Sequence, residues 1–453
     1  MQKFTKITSS IGPASADYET LKQMVQNGMN VCRLNFSHDT GEIQADKIRN
    51  IRKISAELGR PIAVLADLQG PKHRIGVFEE PEFHYQLEIG QTFSFDNDKT
   101  PGNTKRVNLP DEDVLNSLNV GDAILLNDGK MEMKVIAKRD GAIDAKLIRG
   151  TEIWSRRGFN LPDTEVATSV LTAKDREDLD FVLKHDPDFV AISFVQRPED
   201  IIETRDFIRA RTDKPVKIVA KIERPQAVDR IEAIIEETDA IMIARGDLAV
   251  EYPFEKVPAV QRKIIRLCRE LNKPVIVATQ MLSSMVKDDF PLRAEVSDIA
   301  TAAYLLADCT MTSEETTISK APELVVATMA KILANADEDR AENGYDLATD
   351  DSLDNNWSES VVALADLNEC DAIVVFSEAG AGTRKIASRR PYQPIVAMCH
   401  DEMIANQLAL SRGVFPVCDS LVYESRDVAS ALQRAGIQSQ KHVIVDGDGI
   451  YLR

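Results

Sequence analysis

Eight short apolar runs rich in β-branched residues alternate with longer amphipathic stretches between residues 4 and 313. Apolar runs of ~4–8 residues suit buried parallel strands, and the stretches between them have helical spacing. Eight successive strand–helix units predict a (β/α)8 TIM barrel, because parallel strands linked by helices can close on themselves. The runs lie at 4–11, 31–36, 62–67, 189–195, 216–222, 240–245, 274–279 and 309–313.

Two of the intervening segments carry helix-end signals. Residues 16–28 read ADYETLKQMVQNG, and Gly28 suits the position after a helix because glycine adopts positive φ without strain. Residues 225–237 read PQAVDRIEAIIEE, and Pro225 suits the first turn, where no amide donor is needed. Each segment therefore predicts one helix.

The gap between the third and fourth runs spans about 120 residues, which is too long for an ordinary loop. It contains turn sequences such as NDGK at 127–130 and alternating segments such as KMEMKVIA at 130–137, which predict β-hairpins. We therefore expect residues 71–162 to form a small β-barrel domain, inserted at the top of the TIM barrel as a lid. The TIM barrel then comprises residues 1–70 and 163–340.

The remaining residues, 341–453, predict a C-terminal domain of α/β type. An acidic, weakly apolar stretch at 336–356 is typical of a linker or a loosely packed helix. Apolar runs alternate with helical stretches after it, which favours a sheet covered by helices. These runs lie at 371–377, 394–399, 413–418 and 441–447.

The net charge indicates which kinds of partner the protein can bind, and the cysteine content indicates its cellular compartment. The formal net charge of −18 argues against a nucleic-acid or anionic-membrane partner. No apolar run reaches the ~20 residues of a membrane span, and the first residues lack the apolar core of a secretory signal. We expect free, buried thiols in a reducing cytoplasm, because no C-x-x-C pair occurs among Cys32, Cys268, Cys309, Cys370, Cys399 and Cys418.

Polar and charged side chains follow most of the predicted strands. The C-terminal ends of barrel strands share one rim, so these side chains should converge on one site. Cations there would bind an anionic substrate in spite of the negative net charge. The candidates are Arg33, Asn35 and Ser37; Asp67, Lys72 and Arg74; Lys221 and Glu223; Arg245, Gly246 and Asp247; Thr279 and Gln280; and Ser313, Glu314 and Glu315.

Glu223 and Asp247 follow neighbouring predicted strands. Two carboxylates, completed by substrate oxygens and water, suit Mg²⁺, and Mn²⁺ also fits. Lys221 lies two residues before Glu223, where it would neutralise charge developing on a transferred phosphoryl group or an enolate. The alternative for all three residues is a set of ordinary salt bridges. The sequence has neither a Walker A loop nor a G-x-G-x-x-G dinucleotide fingerprint after a strand.

Five motifs, in order, resemble those of pyruvate kinases, and an N-terminal SSIGPAS at 9–15 agrees with them. The resemblance covers almost the whole chain and implies a barrel domain, an inserted β-barrel lid and a C-terminal α/β domain. It also implies transfer of the phosphoryl group of phosphoenolpyruvate to ADP in glycolysis, giving pyruvate and ATP, by a cytoplasmic enzyme that is usually a homotetramer. The motifs are RLNFSH at 33–38, KIERPQAV at 221–228, ARGDLAVE at 244–251, KPVIVATQML at 273–282 and RAEVSD at 293–298.

The resemblance implies a role for each matching residue. Glu223 and Asp247 would hold the divalent ion, Lys221 would stabilise the phosphoryl group and the enolate, and Arg33 would clamp the phosphoryl group. The backbone of Gly246 and Asp247, with Thr279, would bind the substrate carboxylate. The residues of the region that delivers a proton to the enolate would be Thr279, Ser313 and Glu315. The residues facing the nucleotide would be Pro13, Asn35, His38, Arg74 and Arg157.

Lys72 departs from the family pattern. Most members read DTKGPEIRTG where this chain reads DLQGPKHRIG at 67–76, so Lys72 replaces a glutamate. Members with the glutamate need K⁺, held by residues that match Asn35, Ser37 and Asp67 and by a threonine that is Leu68 here. We expect the Lys72 ammonium to supply the charge that K⁺ supplies elsewhere, so that the K⁺ site is vestigial and K⁺ is not required.

Other departures bear on activity and regulation. Glu314 replaces a glycine near the active rim, and Leu305 and Leu306 replace the usual Asp-Gly pair. The loop SEAGAGTRK at 377–385 differs from the Thr/Ser-rich loop of sugar-phosphate-regulated members, and Glu378 and the early chain end predict weak or absent activation by fructose bisphosphate. Two alternatives to a working kinase remain, a weak or inactive regulatory paralogue and a metal-dependent aldolase. The inserted lid disfavours the aldolase.

Overall fold

The computed structural model describes residues 3–39, 41–166, 169–344, 357–447 and 449–453. In chain order its strands are β1 (Lys6–Ser10), β2 (Val31–Asn35), β3 (Ala63–Asp67), β4 (Tyr85–Gln86), β5 (Thr92–Asp96), β6 (Arg106–Asn108), β7 (Ala123–Leu126), β8 (Met131–Arg139), β9 (Ala142–Arg149), β10 (Glu152–Ile153), β11 (Phe159–Asn160), β12 (Phe189–Ile192), β13 (Lys217–Ile222), β14 (Ala240–Ala244), β15 (Val275–Ala278), β16 (Cys309–Thr312), β17 (Ala372–Ser377), β18 (Ile395–Cys399), β19 (Val414–Cys418), β20 (His442–Asp446) and β21 (Gly449–Leu452).

The α-helices connect and cover these strands. In chain order they are α1 (Tyr18–Gln26), α2 (Gly41–Leu58), α3 (Glu112–Ser117), α4 (Ala173–Val182), α5 (Pro198–Arg209), α6 (Pro225–Asp229), α7 (Ile231–Glu237), α8 (Arg245–Glu251), α9 (Val257–Glu270), α10 (Arg293–Tyr304), α11 (Glu314–Thr317), α12 (Pro322–Asn343), α13 (Trp357–Leu367), α14 (Ala381–Ala387), α15 (Glu402–Leu408), α16 (Ser420–Glu424) and α17 (Val428–Arg434). No described helix is long and apolar enough to cross a membrane.

The eight predicted barrel strands form a closed parallel barrel in the order β1-β16-β15-β14-β13-β12-β3-β2. Apolar side chains on the outer faces of the strands pack against the surrounding helices in the largest buried core. A smaller cluster fills the barrel interior, and Leu410 of the C-terminal domain belongs to that cluster. The predicted TIM barrel is therefore confirmed, and it has one closed rim at each end.

The two helix predictions have different outcomes. The first segment forms α1, the Asp17 side chain accepts a hydrogen bond from the Thr20 amide, and Gly28 follows the helix with φ +116°. The second segment begins at Pro225 as predicted, but it is two helices broken at Arg230. The Arg230 side chain bonds to Glu165 at 3.0 Å and to the Gln196 carbonyl at 3.3 Å. These contacts are distant in sequence, so periodicity carries no sign of the break.

The inserted segment builds its own core beside the barrel. A six-stranded mixed sheet in the order β11-β7-β8-β9-β5-β6 and a two-stranded ladder β10-β4 enclose apolar residues that include Phe78, Phe93, Phe95 and Phe159. The two connections to the barrel lie side by side, because Arg74 and Gly158 form an antiparallel bridge and the Ile75 amide donates to the Arg157 carbonyl at 3.0 Å. The inserted domain is therefore connected to the barrel by a paired, two-stranded neck, the lid neck.

The acidic stretch at 336–356 differs from its prediction where it is described. Residues up to Asn343 complete α12, and both Asp337 and Arg340 are buried. The Asp337 carboxylate accepts hydrogen bonds from the Phe4 and Thr5 amides and pairs with Arg412. Loose packing is therefore wrong for 336–343, because partners distant in sequence compensate the buried charge. Residues 345–356 lie outside the described ranges.

The C-terminal domain is a five-stranded sheet in the order β19-β18-β17-β20-β21, with α13 to α17 around it. Its strands are parallel except β21, which pairs antiparallel with β20. The α/β prediction for this part of the chain is therefore confirmed.

All six cysteines are free, and five are buried while Cys418 is half-buried. Burial raises the pKa of the Cys32 thiol to about 12. The prediction of free, buried thiols therefore holds for five of the six cysteines, and thiols held protonated in apolar surroundings are unreactive.

A buried ion pair joins the barrel to the C-terminal domain. The Arg390 guanidinium contacts both oxygens of Asp308, at 3.0 and 2.6 Å, and both residues are almost fully buried. Asp308 also accepts hydrogen bonds from the Val275 and Arg412 amides. This carboxylate therefore connects three segments of the interface, through Arg390, Val275 and Arg412.

We expect Arg390→Met to lower the free energy of unfolding by about 3–5 kcal/mol, because it leaves the buried Asp308 charge without its partner. Arg434→Met is the matched control, since Arg434 pairs with Asp419 at 2.6 Å but is half-exposed, and exposed pairs contribute about 0–1 kcal/mol. Urea unfolding followed by circular dichroism measures both. Equal losses in the two variants would contradict the assigned role of Asp308 and Arg390.

Candidate active site

A buried lysine lies at the centre of the C-terminal rim of the barrel. Lys221, near the end of β13, places its Nζ 3.2 Å from Asp67 Oδ1, 3.0 Å from Glu223 Oε1 and 2.6 Å from Ser193 Oγ. Burial opposes the charged form, but the Asp67 and Glu223 carboxylates outweigh it and raise the pKa of Lys221. The ammonium is therefore permanently charged and held from three sides.

Asp67 divides its two oxygens between two cations. Its Oδ2 accepts a 2.7 Å hydrogen bond from Arg33 Nε and lies 2.6 Å from a second guanidinium nitrogen, while Oδ1 faces Lys221. Burial favours the neutral acid, but Lys221 and Arg33 together lower the pKa of Asp67 below its usual value. Arg33 also donates to Ser10 Oγ at 2.6 Å. One carboxylate thus orients both predicted phosphoryl-binding cations side by side.

The two candidate metal ligands differ in how they are held. Glu223 is buried, and its Oε2 accepts a 2.7 Å hydrogen bond from the Phe194 amide. Burial and the nearby Asp247 charge raise the pKa of Glu223 in spite of the opposing Lys221. Asp247 lies in the first turn of α8, and its carboxylate has no hydrogen-bond or ion-pair partner among the described residues. Neighbouring carboxylates, one unpartnered, fit a divalent cation that takes further oxygens from substrate and water.

Thr279 lies on a strained turn beside the metal-ligand pair. Thr279 and Gln280 both have positive φ, +71° and +56°, which is uncommon for residues with a Cβ. The Thr279 hydroxyl accepts a 2.8 Å hydrogen bond from the Gly246 amide and donates to the Ala278 carbonyl at 2.6 Å. Any Cβ at position 246 would lie 3.4 Å from that hydroxyl. The strain and the close approach place a hydroxyl and an amide at one point of the rim.

The structure thus brings together Arg33, Asp67, Lys221, Glu223, Gly246, Asp247 and Thr279 at one rim of a three-domain α/β chain. Comparison with known families then decides which family it is. The family model described as "Pyruvate kinase, barrel domain" matches residues 2–326, and "Pyruvate kinase, alpha/beta domain" matches residues 355–450. The chain belongs to the pyruvate kinase family.

Individual relatives agree over most of their length. A pyruvate kinase of Methylorubrum extorquens is 38% identical over 429 residues, which cover 94% of this chain and 88% of that protein. A pyruvate kinase of Staphylococcus saprophyticus is 37% identical over 436 residues, covering 94% of this chain and 73% of that protein. A crystal structure of a pyruvate kinase from Cryptosporidium parvum superposes with a TM-score of 0.91 at 31% identity, covering 100% of this chain and 96% of that one.

Two of the residues predicted to face the nucleotide, Arg74 and Arg157, have partners in the lid neck of this pyruvate kinase. Pro13, His38 and Arg74 are exposed. Arg74 donates to the Arg156 carbonyl at 3.1 Å, and Arg157 stacks on Trp154, with its Cζ 4.5 Å from the ring centre. The Arg74 side chain therefore joins the two strands of the lid neck, whereas the Arg157 side chain packs within one of them.

Two of the residues predicted for K⁺, Asn35 and Asp67, already have partners in the structure. The Asn35 side-chain oxygen accepts a hydrogen bond from the Ser37 amide, Ser37 is exposed, and Asp67 is committed to Arg33 and Lys221. Leu68 belongs to the main apolar core. Lys72 is half-buried and forms no ion pair with a described residue, and its Cε lies 3.8 Å from the point where a Cβ on Gly158 would stand. Its ammonium is therefore available to a ligand at the neck.

Two rim residues, Arg245 and Glu315, are held by contacts that the sequence does not indicate. Arg245 is turned into the loops behind the rim, where it donates to the Ala278 and Thr279 carbonyls and pairs with Asp298 at 2.8 Å. It therefore does not join Arg33 and Lys221 in a cationic cluster, and it shapes the Thr279 turn instead. Glu315 is buried and accepts hydrogen bonds from the Ser313 and Leu282 amides at 2.6 and 3.3 Å. It connects the two loops around the proposed proton-delivery region.

The departures at Glu314 and at Leu305–Leu306 leave the barrel intact. Glu314 is exposed at the first position of α11, where a helix favours a carboxylate. Leu306 is buried with φ +65°, and its carbonyl accepts a hydrogen bond from Arg390 Nε at 3.1 Å.

Sequence reasoning missed two residues after β12. Ser193 contacts Lys221 and donates to the Leu68 carbonyl at 2.8 Å, and Phe194 presents its amide to Glu223 from a backbone with φ +59°. The run FVAISFV reads as continuous apolar strand, so its serine is the single available signal. The backbone turn at Phe194 has no signal in the side chains.

We expect Glu223→Gln to weaken Mn²⁺ binding by at least about ten-fold, because it removes one of two carboxylate ligands. Glu314→Gln is the control, since it removes the same charge from an exposed position on the same rim. Electron paramagnetic resonance of free Mn²⁺ measures both affinities without any need for turnover. Unchanged Mn²⁺ affinity in Glu223→Gln would remove this residue from the metal site.

Proposed function

We infer that the chain is a working pyruvate kinase, a phosphotransferase (EC 2.7.1.40) that converts phosphoenolpyruvate and ADP to pyruvate and ATP. The observation that carries this function is the Lys221 ammonium, fixed between Asp67, Glu223 and Ser193 and beside Arg33. Two oriented cations stabilise the charge of a phosphoryl group in transfer, which is the main requirement of such a reaction. The regulatory paralogue is not favoured, because the relatives that match most of the chain are pyruvate kinases.

We propose a separate role for each group at the rim. Arg33 and Lys221 bind the phosphoryl oxygens, and Lys221 remains beside the enolate oxygen after transfer. The Gly246 amide and the Thr279 hydroxyl, which bond to each other in the free site, bind the substrate carboxylate. Thr279, Ser313 and Glu315 lie in the region that delivers the proton to the enolate carbon. Pro13, Asn35, His38, Arg74 and Arg157 face the nucleotide.

The family requires a divalent metal ion, and we propose Mg²⁺ or Mn²⁺ on Glu223 and Asp247. Bound there, the ion supplies charge neutralisation for the phosphoryl group and the substrate oxygens. The Phe194 amide holds Glu223 in place for this role.

A lactate-dehydrogenase-coupled assay with phosphoenolpyruvate, ADP and Mg²⁺ tests the activity. We expect turnover in the wild type and a loss of kcat of about 10²–10³-fold or more in Lys221→Met, because the charge that stabilises the phosphoryl group is removed. Lys263→Met, an exposed lysine on α9, controls for loss of charge alone. Absence of turnover in the wild type would overturn the proposed function.

We also propose that Lys72 replaces K⁺. Its ammonium has no carboxylate partner among the described residues and lies at the lid neck, on the chain segment that follows Asp67. Gly70 orients this segment with φ +68°, and a Cβ there would lie 2.8 Å from Ser193 Cβ, so the turn needs glycine. A monovalent charge near the phosphoryl group is thereby kept while its carrier changes.

In tetramethylammonium buffer without K⁺, we expect the wild type to be fully active and Lys72→Glu to lose activity. Added K⁺ should restore the activity of Lys72→Glu and leave that of the wild type unchanged. The mutant loses the tethered charge and regains the family's glutamate, so an added cation becomes necessary. Lys105→Glu, an exposed lysine of the lid, is the charge-matched control and should remain independent of K⁺. A wild type that needs K⁺ would overturn the role of Lys72 while leaving the kinase in place.

We propose a cytoplasmic homotetramer. Exposed apolar side chains on the barrel, Phe290 and Leu292 at 82% and 61% exposure, supply surface for association. Light scattering after gel filtration should give four times the chain mass of 50.3 kDa.

A further inference from the structure

A hydrogen bond between two side chains connects the inserted domain to helix α8. Asn160, the last residue of β11, donates through Nδ2 to Glu251 Oε1 at 2.9 Å, and Glu251 is the last residue of α8. The same helix begins at the catalytic rim, because Gly246 and Asp247 lie in its first turn. One short helix therefore has the proposed substrate and metal groups at one end and a contact with the inserted domain at the other.

A second contact joins the inserted domain to the same end of α8. Gly129, in the turn between β7 and β8, has φ +79°, and a Cβ placed on it would lie 3.7 Å from Val250 Cγ1. Strand β7 pairs with β11, so this turn and Asn160 belong to neighbouring strands of one sheet. The C-terminal end of α8 therefore lies against a connected part of the inserted domain and not against a single side chain.

The burial of Glu251 makes the hydrogen bond from Asn160 important for the position of the helix. Glu251 is 6% exposed, and its second carboxylate oxygen, Oε2, is buried without a hydrogen-bond partner among the described residues. A buried carboxylate is costly unless hydrogen bonds compensate its charge, and a bond to an ionised acceptor is stronger than one between neutral groups. Movement of the inserted domain away from α8 would remove the Asn160 donor, so the two parts favour one relative position.

Asn160 lies on the segment that also carries a residue predicted to face the nucleotide. Arg157 is three positions earlier in the chain, and its carbonyl accepts a hydrogen bond from the Ile75 amide across the lid neck at 3.0 Å. The Phe159 amide donates to the His73 carbonyl, also at 3.0 Å. Because backbone hydrogen bonds hold this segment on both sides of Gly158, a nucleotide that fixes Arg157 also fixes Asn160.

We propose that Asn160 and Glu251 are positioning residues that couple nucleotide binding at the lid neck to substrate binding on α8. The inference rests on the proposed function, which assigns Arg157 to the nucleotide and the Gly246 amide to the substrate carboxylate. A nucleotide fixes the inserted domain and a substrate fixes α8, so each ligand favours the arrangement in which the hydrogen bond is formed. Each ligand should therefore increase the affinity of the other, because coupling between two binding sites is reciprocal.

Isothermal titration calorimetry of ADP with Mg²⁺, in the absence and in the presence of saturating pyruvate, tests the coupling without turnover. Pyruvate and ADP are the phosphoryl acceptors of the two reaction directions, so they bind together without reacting. We expect pyruvate to tighten ADP binding by about five-fold or more in the wild type. Asn160→Asp should lose this effect, because two carboxylates then face each other and repel.

An exchange of the two partners distinguishes a positioning role from a folding defect. Asn160→Asp/Glu251→Gln again pairs a donor with an acceptor, with the direction of the hydrogen bond reversed, so it should recover the effect of pyruvate on ADP binding. Asn116→Asp makes the same substitution at an exposed position of α3, away from α8, and should behave like the wild type.

The possible outcomes separate this inference from the proposed function. Binding of both ligands to the wild type with no effect of pyruvate on ADP, or an equal effect in the wild type and in Asn160→Asp, would overturn the coupling and leave the kinase in place. Loss of the effect in Asn160→Asp without recovery in the exchanged pair would also overturn it. Failure of the wild type to bind either ligand at millimolar concentrations would overturn both the coupling and the kinase.

Discussion

Closure of the barrel is the constraint on which the rest of the molecule depends. The ladder between β1 and β16, with Lys6 opposite Cys309 and Ser9 opposite Thr312, joins segments from opposite ends of the barrel sequence. Once the ring is closed, parallel strands must present all their C-terminal ends at one rim and all their N-terminal ends at the other. Residues 188 positions apart, such as Arg33 and Lys221, then share one carboxylate, Asp67.

The protein has a negative net charge, yet it places several cations close together at defined points of the fold. At the catalytic rim, Arg33 and Lys221 are partly neutralised by Asp67 and Glu223, which orient them and keep Lys221 charged. In a cavity between the barrel and the C-terminal domain, the cations Lys217, Lys273, Arg384 and Lys385 share one carboxylate, Asp239. Strand β13 connects the two places, since it starts at Lys217 and carries Lys221 near its end. Charge at one end of such a strand is rigidly placed relative to charge at the other.

The sequence predicted most of the architecture and the catalytic cations, because both leave local signals. These signals are short-range: strand periodicity, the glycine after α1 and the proline at the start of α6. The barrel topology then fixes the position of the polar residues at the strand ends. The sequence predicted Arg245 in the cationic cluster of the rim, but its long side chain turns away from the rim. Its partners there, Ala278, Thr279 and Asp298, come from later segments of the chain. The burial of Asp337 and the break at Arg230 likewise depend on partners distant in the chain.

The amino-acid sequence by itself determined the eight strand–helix units, the inserted lid, the C-terminal α/β domain and the identity of the groups at the rim. Tertiary structure decided which oxygen faces which cation, and hence the raised pKa of Lys221 and the lowered pKa of Asp67. It also decided that Ser193 and the Phe194 amide hold the site, and that Arg384 and Lys217 line one cavity between two domains. The reason is physical: periodicity is set by neighbours in sequence, whereas electrostatic environment is set by neighbours in space.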